Sequence, residues 1–194
     1  MLIISGLTLF LAGLYLAFGL HSTVWYSAFV IGGFLLFEGI NRRRDFSVLA
    51  HPKNFLLVWG IFIAITIGVE FLGNYWFDFW NYPSFNTLDY LINVILIGYA
   101  FTGFFGLTFL VFLQQFLHSK AQQVVWLPIA AFLFGYFNEY PNTFAYEWIY
   151  VDWPLGEPLG IPVVISILWI ALLLVLLFKR FFQANSFETN AIQR

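Results

Sequence analysis

The stretch GVEFLGNYWFDFWNYPSFNTLDYLIN, residues 68–93, places carboxylates and amides among aromatic rings, between two long apolar runs. The flanking runs cover about 54–73 and 88–117, and a helix that crosses a bilayer needs about 20 apolar residues. A turn rich in Trp and Tyr between two such helices is typical of the membrane boundary. The stretch therefore indicates a helical membrane protein, and it raises the question of what its acids do.

The composition of the whole chain supports this interpretation. Of the 194 residues, 61% are hydrophobic and 9% are charged, and the mean hydropathy is +0.84. A soluble domain carries about 25% charged residues. The chain contains no cysteine, which excludes disulfides, thiolate metal sites and a cysteine nucleophile. The net charge of -2 does not indicate a nucleic-acid partner.

Six apolar stretches approach the length of a membrane span. They cover about 2–20, 24–41, 54–73, 88–117, 124–140 and 161–182. We therefore predict an all-α, polytopic integral membrane protein, a single domain over 1–194 built as three helical hairpins with aromatic-rich outer loops. The first stretch lacks the basic segment and the cleavage motif of a signal peptide, so we interpret it as a retained helix.

The basic residues predict the orientation of these helices. All eight Lys and Arg residues lie after the second stretch, after the fourth stretch or at the C-terminal end. Short cytoplasmic loops carry an excess of Lys and Arg. We therefore expect a multi-pass protein of the cell (plasma or inner) membrane with both termini in the cytoplasm and most of its acids on the opposite side.

Helical spacing brings the acids of the opening stretch together. Glu70 and Asn74 are four residues apart and share one helix face, and Asp78 lies on the same face if the helix continues that far. Asp89 and Asn93 are also four residues apart and share a face of the next helix. These helices are antiparallel, so the two faces lie at one depth. Because a carboxylate facing lipid costs at least about 2.5 kcal/mol near the midplane, we expect the two faces to meet.

Further residues at the outer end extend this predicted cavity. Asn138 and Glu139 end the fifth stretch at the same depth. The aromatic residues of the two outer segments are its expected walls: Trp80, Tyr82, Trp148 and Tyr150. The pattern Asn-x5-Trp-x-Tyr occurs at 74–82 and again at 142–150. Either a duplicated two-helix unit or coincidence in an aromatic chain explains this recurrence.

A buried carboxyl group among aromatic rings has a definite chemical use. Desolvation raises its pKa, so that it stays protonated at neutral pH, and the faces of Trp and Tyr rings stabilise positive charge. We predict a cofactor-independent acid/base enzyme that protonates an isoprenoid or another long apolar substrate, with Glu70 as proton donor and Asp89 and Glu139 as further catalytic residues. Asn74, Asn93 and Asn138 join the aromatic walls as substrate-binding residues, whereas Glu147 and Asp78 are expected to be solvated.

No metal site and no cofactor are predicted, because the three histidines lie in separate breaks. Membrane lipid and an apolar isoprenoid are the expected partners. The alternative is a non-catalytic membrane protein, such as a small transporter or a partner subunit. In that case the polar residues hydrogen-bond between helices, at about 0.6 kcal/mol each.

Two segments carry a resemblance to a known group of enzymes. Glu70-x2-Gly73 with Trp80-x-Tyr82, and the segment 147–169, resemble the lycopene cyclase-type and carotenoid hydratase-type membrane proteins of carotenoid biosynthesis. The resemblance implies cyclase, hydratase or isomerase chemistry on an isoprenoid.

The chain departs from this pattern at one position. The cyclase-type pattern has paired acids directly after the proline that opens the last helix, whereas here Pro162 precedes two valines. The similarity could then be one of fold alone, and fold does not determine function. Asn74-x3-Asp78 also resembles half of the motif of membrane prenyltransferases, but the second aspartate-rich motif that would hold diphosphate through magnesium is missing from the sequence.

Overall fold

The structure is a computed structural model that describes residues 1–151, 153, 156 and 158–174. This part of the chain is mostly helical, and a helix occurs in each of the six predicted stretches. The helices are α1 (Leu2–Phe18), α2 (Trp25–Asn41), α3 (Pro52–Trp76), α4 (Thr87–Gln114), α5 (Lys120–Glu139), α6 (Asn142–Ala145) and α7 (Val163–Leu174). Residues 175–182 of the last predicted stretch lie outside the described residues.

Two of the described helices, α3 and α4, are long and apolar enough to cross a membrane, by length and composition alone. They differ in their surroundings, since the most apolar window of α4 is 67% buried and that of α3 only 17%. The helix α4 is therefore central, and α3 lies at the periphery with most of its apolar surface uncovered. The predicted arrangement of six spans remains a prediction.

The core lies between α2 and α4 and consists mainly of phenylalanine rings. Phe34 and Phe104 pack with their ring centroids 5.4 Å apart, and Phe29 meets Phe105 edge to face at 5.7 Å. On its other side α2 packs closely on α1, where a Cβ added to Gly32 would lie 2.2 Å from the backbone nitrogen of Phe10. Only glycine permits this approach of the two helices.

Two helices widen at the end of the molecule that carries the predicted site. The last part of α3 (Phe71–Trp76) and an early part of α4 (Tyr90–Gly98) are π-helical. π-Helical turns hydrogen-bond from residue i to i+5 and are frequent at functional sites. Asn86 caps the start of α4, where its side chain accepts hydrogen bonds from the backbone N–H groups of Leu88 and Asp89.

The outer segments form a small sheet that packs on these helix ends. Strand β1 (Trp80–Asn81) pairs antiparallel with β2 (Ile149–Tyr150), and Trp80 lies opposite Tyr150. The backbone N–H of Val151 and the indole N–H of Trp153 both donate to the carbonyl of Phe79. We refer to β1, β2, these flanking residues and the adjacent Tyr82 and Trp148 as the lid.

Candidate functional site

Glu70 is the centre of a buried hydrogen-bond cluster at the outer end of α3. Its side chain is 4% exposed. Five side chains donate to its carboxylate: Asn74 (3.3 Å), Trp80 (3.2 Å), Tyr82 (2.9 Å), Tyr90 (2.9 Å) and Tyr99 (2.6 Å). An ionised carboxylate only accepts hydrogen bonds, and a buried charge must be paired or hydrogen-bonded. The arrangement therefore suits a fixed carboxylate.

The donors Tyr90 and Tyr99 were missed by the sequence analysis, and the π-helical part of α4 explains why. Nine residues are two and a half turns of an α-helix, which would place the two tyrosines on opposite faces. The wider turns over Tyr90–Gly98 take more than four residues each, so nine residues make close to two turns. Both hydroxyls therefore reach Glu70. The α-helical spacing assumed in the sequence analysis does not predict that these two tyrosines lie on the same face.

Glu139 is the centre of a second cluster, at the outer end of α5. It is buried, and it accepts hydrogen bonds from the indole of Trp148 (3.2 Å), the hydroxyl of Tyr150 (2.6 Å) and the indole of Trp169 (3.4 Å). In both clusters a glutamate near the outer end of a helix accepts from a Trp and a Tyr that lie two residues apart in one outer segment. The arrangement suits a second fixed carboxylate.

The lid brings the two clusters together on paired strands. The antiparallel register places Trp80 opposite Tyr150 and Asn81 opposite Ile149. The Trp and Tyr of each Asn-x5-Trp-x-Tyr segment donate to a glutamate, but the asparagines differ, because Asn74 donates to Glu70 and Asn142 donates to the carbonyl of Trp148.

A cavity of about 550 Å³ lies beneath the lid. Its walls come from α3, α4, α7 and both strands, and they are mainly aliphatic and aromatic. Four of the predicted aromatic wall residues, Trp80, Tyr82, Trp148 and Tyr150, line it, and so does Trp169. This volume lies within the range of about 300–1,000 Å³ that is usual for small-molecule sites.

Among the residues that the structure describes, two glutamates lie on the cavity wall, and one of them was not expected there. Glu139 lines the cavity as predicted, while Glu147 joins it with only 1% of its side chain exposed. The prediction that Glu147 is solvated is therefore wrong. Asn142 produces this placement, since its side-chain oxygen accepts from the backbone N–H groups of Glu147 (2.9 Å) and Trp148 (3.2 Å), and Tyr146 adopts a left-handed conformation before them.

The surroundings of Glu147 favour its neutral form. Burial raises the pKa of its carboxyl well above the usual 4.5, although the backbone N–H of Tyr26 donates to it and lowers the pKa in part. That hydrogen bond is 3.3 Å long, and it comes from the first turn of α2, where a helix favours negative charge. Burial outweighs this contribution. A protonated carboxyl group therefore faces the cavity beside the multiply hydrogen-bonded Glu139.

The tyrosines of the lid are held as hydrogen-bond donors. Burial raises the pKa of Tyr82 well above its usual 10.0, with further contributions from the nearby Tyr99 and Glu70. Burial and the neighbouring Glu139 do the same for Tyr150. Both hydroxyls therefore keep their protons and continue to donate to the two carboxylates.

Several predicted site residues do not join the Glu70 cluster. Asp89 is half-buried in the first turn of α4 and is not among the donors or acceptors of Glu70, whereas the adjacent Tyr90 donates to it. Asp78 is exposed, since α3 ends before it and it adopts a left-handed conformation. Asn93 lines the cavity and accepts from Ser27 (2.7 Å). Asn138 is buried and donates to the Tyr26 hydroxyl (2.6 Å).

Comparison of the chain with protein-family models, curated proteins and solved structures finds no match. The resemblance to the carotenoid-biosynthesis enzymes therefore stays a prediction. The function must be inferred from the cavity and its two glutamates.

Proposed function

We propose that this chain is a multi-pass protein of the cell membrane, with both termini in the cytoplasm, that binds a long apolar chain beneath its lid. We further propose that it is a cofactor-independent acid/base enzyme that acts on this ligand, an isoprenoid or a similar unsaturated chain. The observation that carries the proposal is the apolar cavity with the buried Glu139 and Glu147 on its wall. A soluble polar substrate would find few hydrogen-bond partners among these walls.

The two glutamates divide the acid and base roles. Glu147 is the proton donor, because burial holds its carboxyl in the neutral form. Glu139 is the base, because its three donors suit a carboxylate that only accepts. The two carboxyl groups thus differ in their donors, one for Glu147 and three for Glu139, and two titratable groups in different environments are the usual signature of an acid and base pair.

The reaction that these groups support needs no co-reactant. The proton of the Glu147 carboxyl passes to one carbon of a double bond, and the π electron pair forms the new C–H bond and leaves a carbocation. The rings of Trp80, Trp148 and Trp169 on the cavity wall stabilise that positive charge. Loss of a proton from a neighbouring carbon to Glu139 gives an isomerised alkene. Where the π electrons of a second double bond of the same chain first attack the carbocation and form a new carbon–carbon bond, the same proton loss gives a cyclised alkene, and return of the proton to Glu147 completes the cycle.

The geometry supports a different role for Glu70 from the one predicted from the sequence. Glu70 is not on the cavity wall, and its five donors hold it as a fixed acceptor. We therefore propose that Glu70 is a positioning residue that holds Trp80, Tyr82 and Tyr99, all of which line the cavity. Asp89 has no part in this chemistry.

One observation favours the non-catalytic alternative. The Glu70 cluster joins α3, α4 and β1 through side-chain hydrogen bonds, as expected of a polar network that only holds helices together. In that case the cavity stores or presents an apolar ligand unchanged. The two functions differ in whether Glu147 is required for a chemical change.

A comparison of cellular lipids tests the proposal. Polyisoprenoids are extracted from a host that supplies carotenoid precursors and expresses the wild-type chain, Glu147→Gln, or no added protein. Asp89→Asn is the matched control, because it removes an acid that does not line the cavity. A parallel incubation of isolated membranes with preformed, unlabelled polyisoprenoids in heavy water reports any proton added to carbon as a mass increase.

We expect a changed polyisoprenoid profile and deuterium uptake with the wild type and with Asp89→Asn. Glu147→Gln should lose both effects while its level in the membrane stays the same. If the wild-type profile equals that of cells without the protein, the enzymatic proposal is wrong. A wild-type activity that survives in Glu147→Gln would contradict the assignment of the proton donor.

A further inference from the structure

The exposed residues of the cavity wall all lie on one side. They are Ile65, Val69, Leu72 and Phe77 from α3 and the residue after it, and Leu168 from α7. The other wall residues that the structure describes are buried or half-buried. The opening of the cavity therefore lies between α3 and α7, and its rim is apolar.

The surroundings of this opening indicate that a ligand enters the cavity from the lipid bilayer. Entry from water is less favourable. The helix α3 is long and apolar enough to cross a membrane, and its most apolar window is only 17% buried, so its outer surface needs apolar solvent. At the outer end the lid covers the cavity, where the rings of Trp80 and Trp153 stack 5.9 Å apart. A ligand that arrives from water would have to pass this aromatic cover.

The size of the cavity also favours a ligand that stays partly in the bilayer. A volume of about 550 Å³ suits a drug-sized molecule but is too small for all of a long isoprenoid. The carboxyl groups of Glu139 and Glu147 lie on the wall, away from the exposed rim. One end of the chain would reach them, and the rest would extend through the opening.

We propose that the gap between α3 and α7, flanked by Ile65 and Leu168, is a lateral opening through which a bilayer-dissolved hydrocarbon chain enters the cavity. The identity of this occupant rests on the proposed function. The opening itself rests on the apolar rim, the uncovered surface of α3 and the lid above.

The chain offers closely matched control residues for a test. Ile65 and Ile61 lie one turn apart on α3 and are 45% and 46% exposed, respectively, but only Ile65 lines the cavity. Leu168 and its neighbour Ile167 on α7 are both exposed, and only Leu168 is a wall residue. Tryptophan at Ile65 or Leu168 should narrow the opening, whereas tryptophan at Ile61 or Ile167 should not.

The experiment uses the full chain in liposomes that contain a long-chain alkenol with a photoreactive diazirine at its apolar end. After illumination, mass spectrometry maps the labelled residues, and carboxyl side chains trap the reactive species well. We expect labelling of Glu139 or Glu147 in the wild type, in Ile61→Trp and in Ile167→Trp. This labelling should be lost in Ile65→Trp and Leu168→Trp, and it should increase in Ile65→Ala, which widens the rim.

The increase in Ile65→Ala separates a narrowed opening from a damaged fold, since a misfolded variant would not label these residues better. Equal labelling in all variants, or wild-type labelling confined to the outer surface of α3, would overturn the proposal. The photolabelling pattern does not depend on whether the protein catalyses a reaction. The lateral opening stands if labelling follows the expected pattern and no deuterium enters the lipids, and in that case only the enzymatic proposal fails.

Discussion

Trp80 lies opposite Tyr150 in the lid, yet the two side chains serve different carboxylates. The indole of Trp80 donates to Glu70 at 3.2 Å, and the hydroxyl of Tyr150 donates to Glu139 at 2.6 Å. The antiparallel pairing of these strands therefore joins the end of α3 to the end of α5. A change at either glutamate is transmitted to the strand that covers the cavity.

Glu70→Gln should destabilise the protein strongly. Among the Asp and Glu residues outside the lid, we expect Glu70 to be the one whose replacement by the corresponding amide costs the most stability. Each carboxylate oxygen accepts from three side chains, so the amide nitrogen would point its N–H groups at three existing donors, and hydrogen bonds to a charged group contribute about 1.5–3 kcal/mol each. We expect a loss of about 3 kcal/mol or more, measured by unfolding in detergent. Asp78→Asn is the control, because Asp78 is exposed and asparagine tolerates its left-handed backbone. Equal stability of the two variants would contradict the role of Glu70.

Gly73→Ala should displace the indole of Trp80 from Glu70. A Cβ added to Gly73 would lie 1.8 Å from Cη2 of Trp80, so the ring must move. Gly68 lies on the same helix with nothing within 4 Å of an added Cβ, and Gly68→Ala should stabilise α3 by about 0.5–1 kcal/mol. Thermal unfolding and the near-ultraviolet circular dichroism of the indoles would show opposite effects for the two variants. Similar shifts in both would show that the indole does not depend on this glycine.

Glu147 should make the stability of the wild type fall as the pH rises. Burial raises the pKa of its carboxyl in the folded protein well above 4.5, so the folded state keeps a proton that the unfolded chain has lost. Its contribution to stability is therefore complete below about pH 4.5 and decreases as the pH rises through the folded pKa. Unfolding midpoints measured from about pH 4.5 to pH 8 should fall less steeply for Glu147→Gln. Asp89→Asn should keep the wild-type slope, and a common slope for all three proteins would refute this prediction.

Asn142→Ala should release the turn that holds Glu147 and Trp148. The Asn142 side chain donates to the carbonyl of Trp148 at 2.6 Å and accepts from two backbone N–H groups. At about 1 kcal/mol for each hydrogen bond, we expect a loss of about 2–3 kcal/mol. Thr143→Ala is the control, because it removes only the hydrogen bond to the carbonyl of Tyr140, so it should destabilise less. Hydrogen exchange at the Glu147 amide measures the effect locally, and unchanged exchange in Asn142→Ala would exclude this role.

The apolar runs and the helical spacing of four predicted much of this structure. They located a helix in each of the six stretches, and they placed Asn74 beside Glu70. The aromatic outer segments correctly indicated Trp80 and Tyr82 as neighbours of the site. These features depend on local sequence, where periodicity and composition are most informative.

The remaining features depend on backbone geometry that the sequence pattern does not reveal. Tyr90 and Tyr99 both meet Glu70, because α4 is π-helical from Tyr90 to Gly98. Glu147 turns inward because of a left-handed residue before it and a side-chain cap from Asn142. A segment that is predicted only as a loop does not indicate where its side chains point, and α-helical spacing does not predict the effect of π-helical turns. The positions of Glu147 and Tyr90 could therefore not be inferred from the sequence.

The wide turns of α4 also determine how this chain would respond to the loss of a residue. A deletion within 90–98 would let the segment relax to α-helical pitch and turn Tyr90 by about 80° about the helix axis relative to Tyr99. One of the two hydroxyls would then leave Glu70. An insertion or deletion within this segment therefore alters the hydrogen bonds to Glu70, even when every tyrosine is retained.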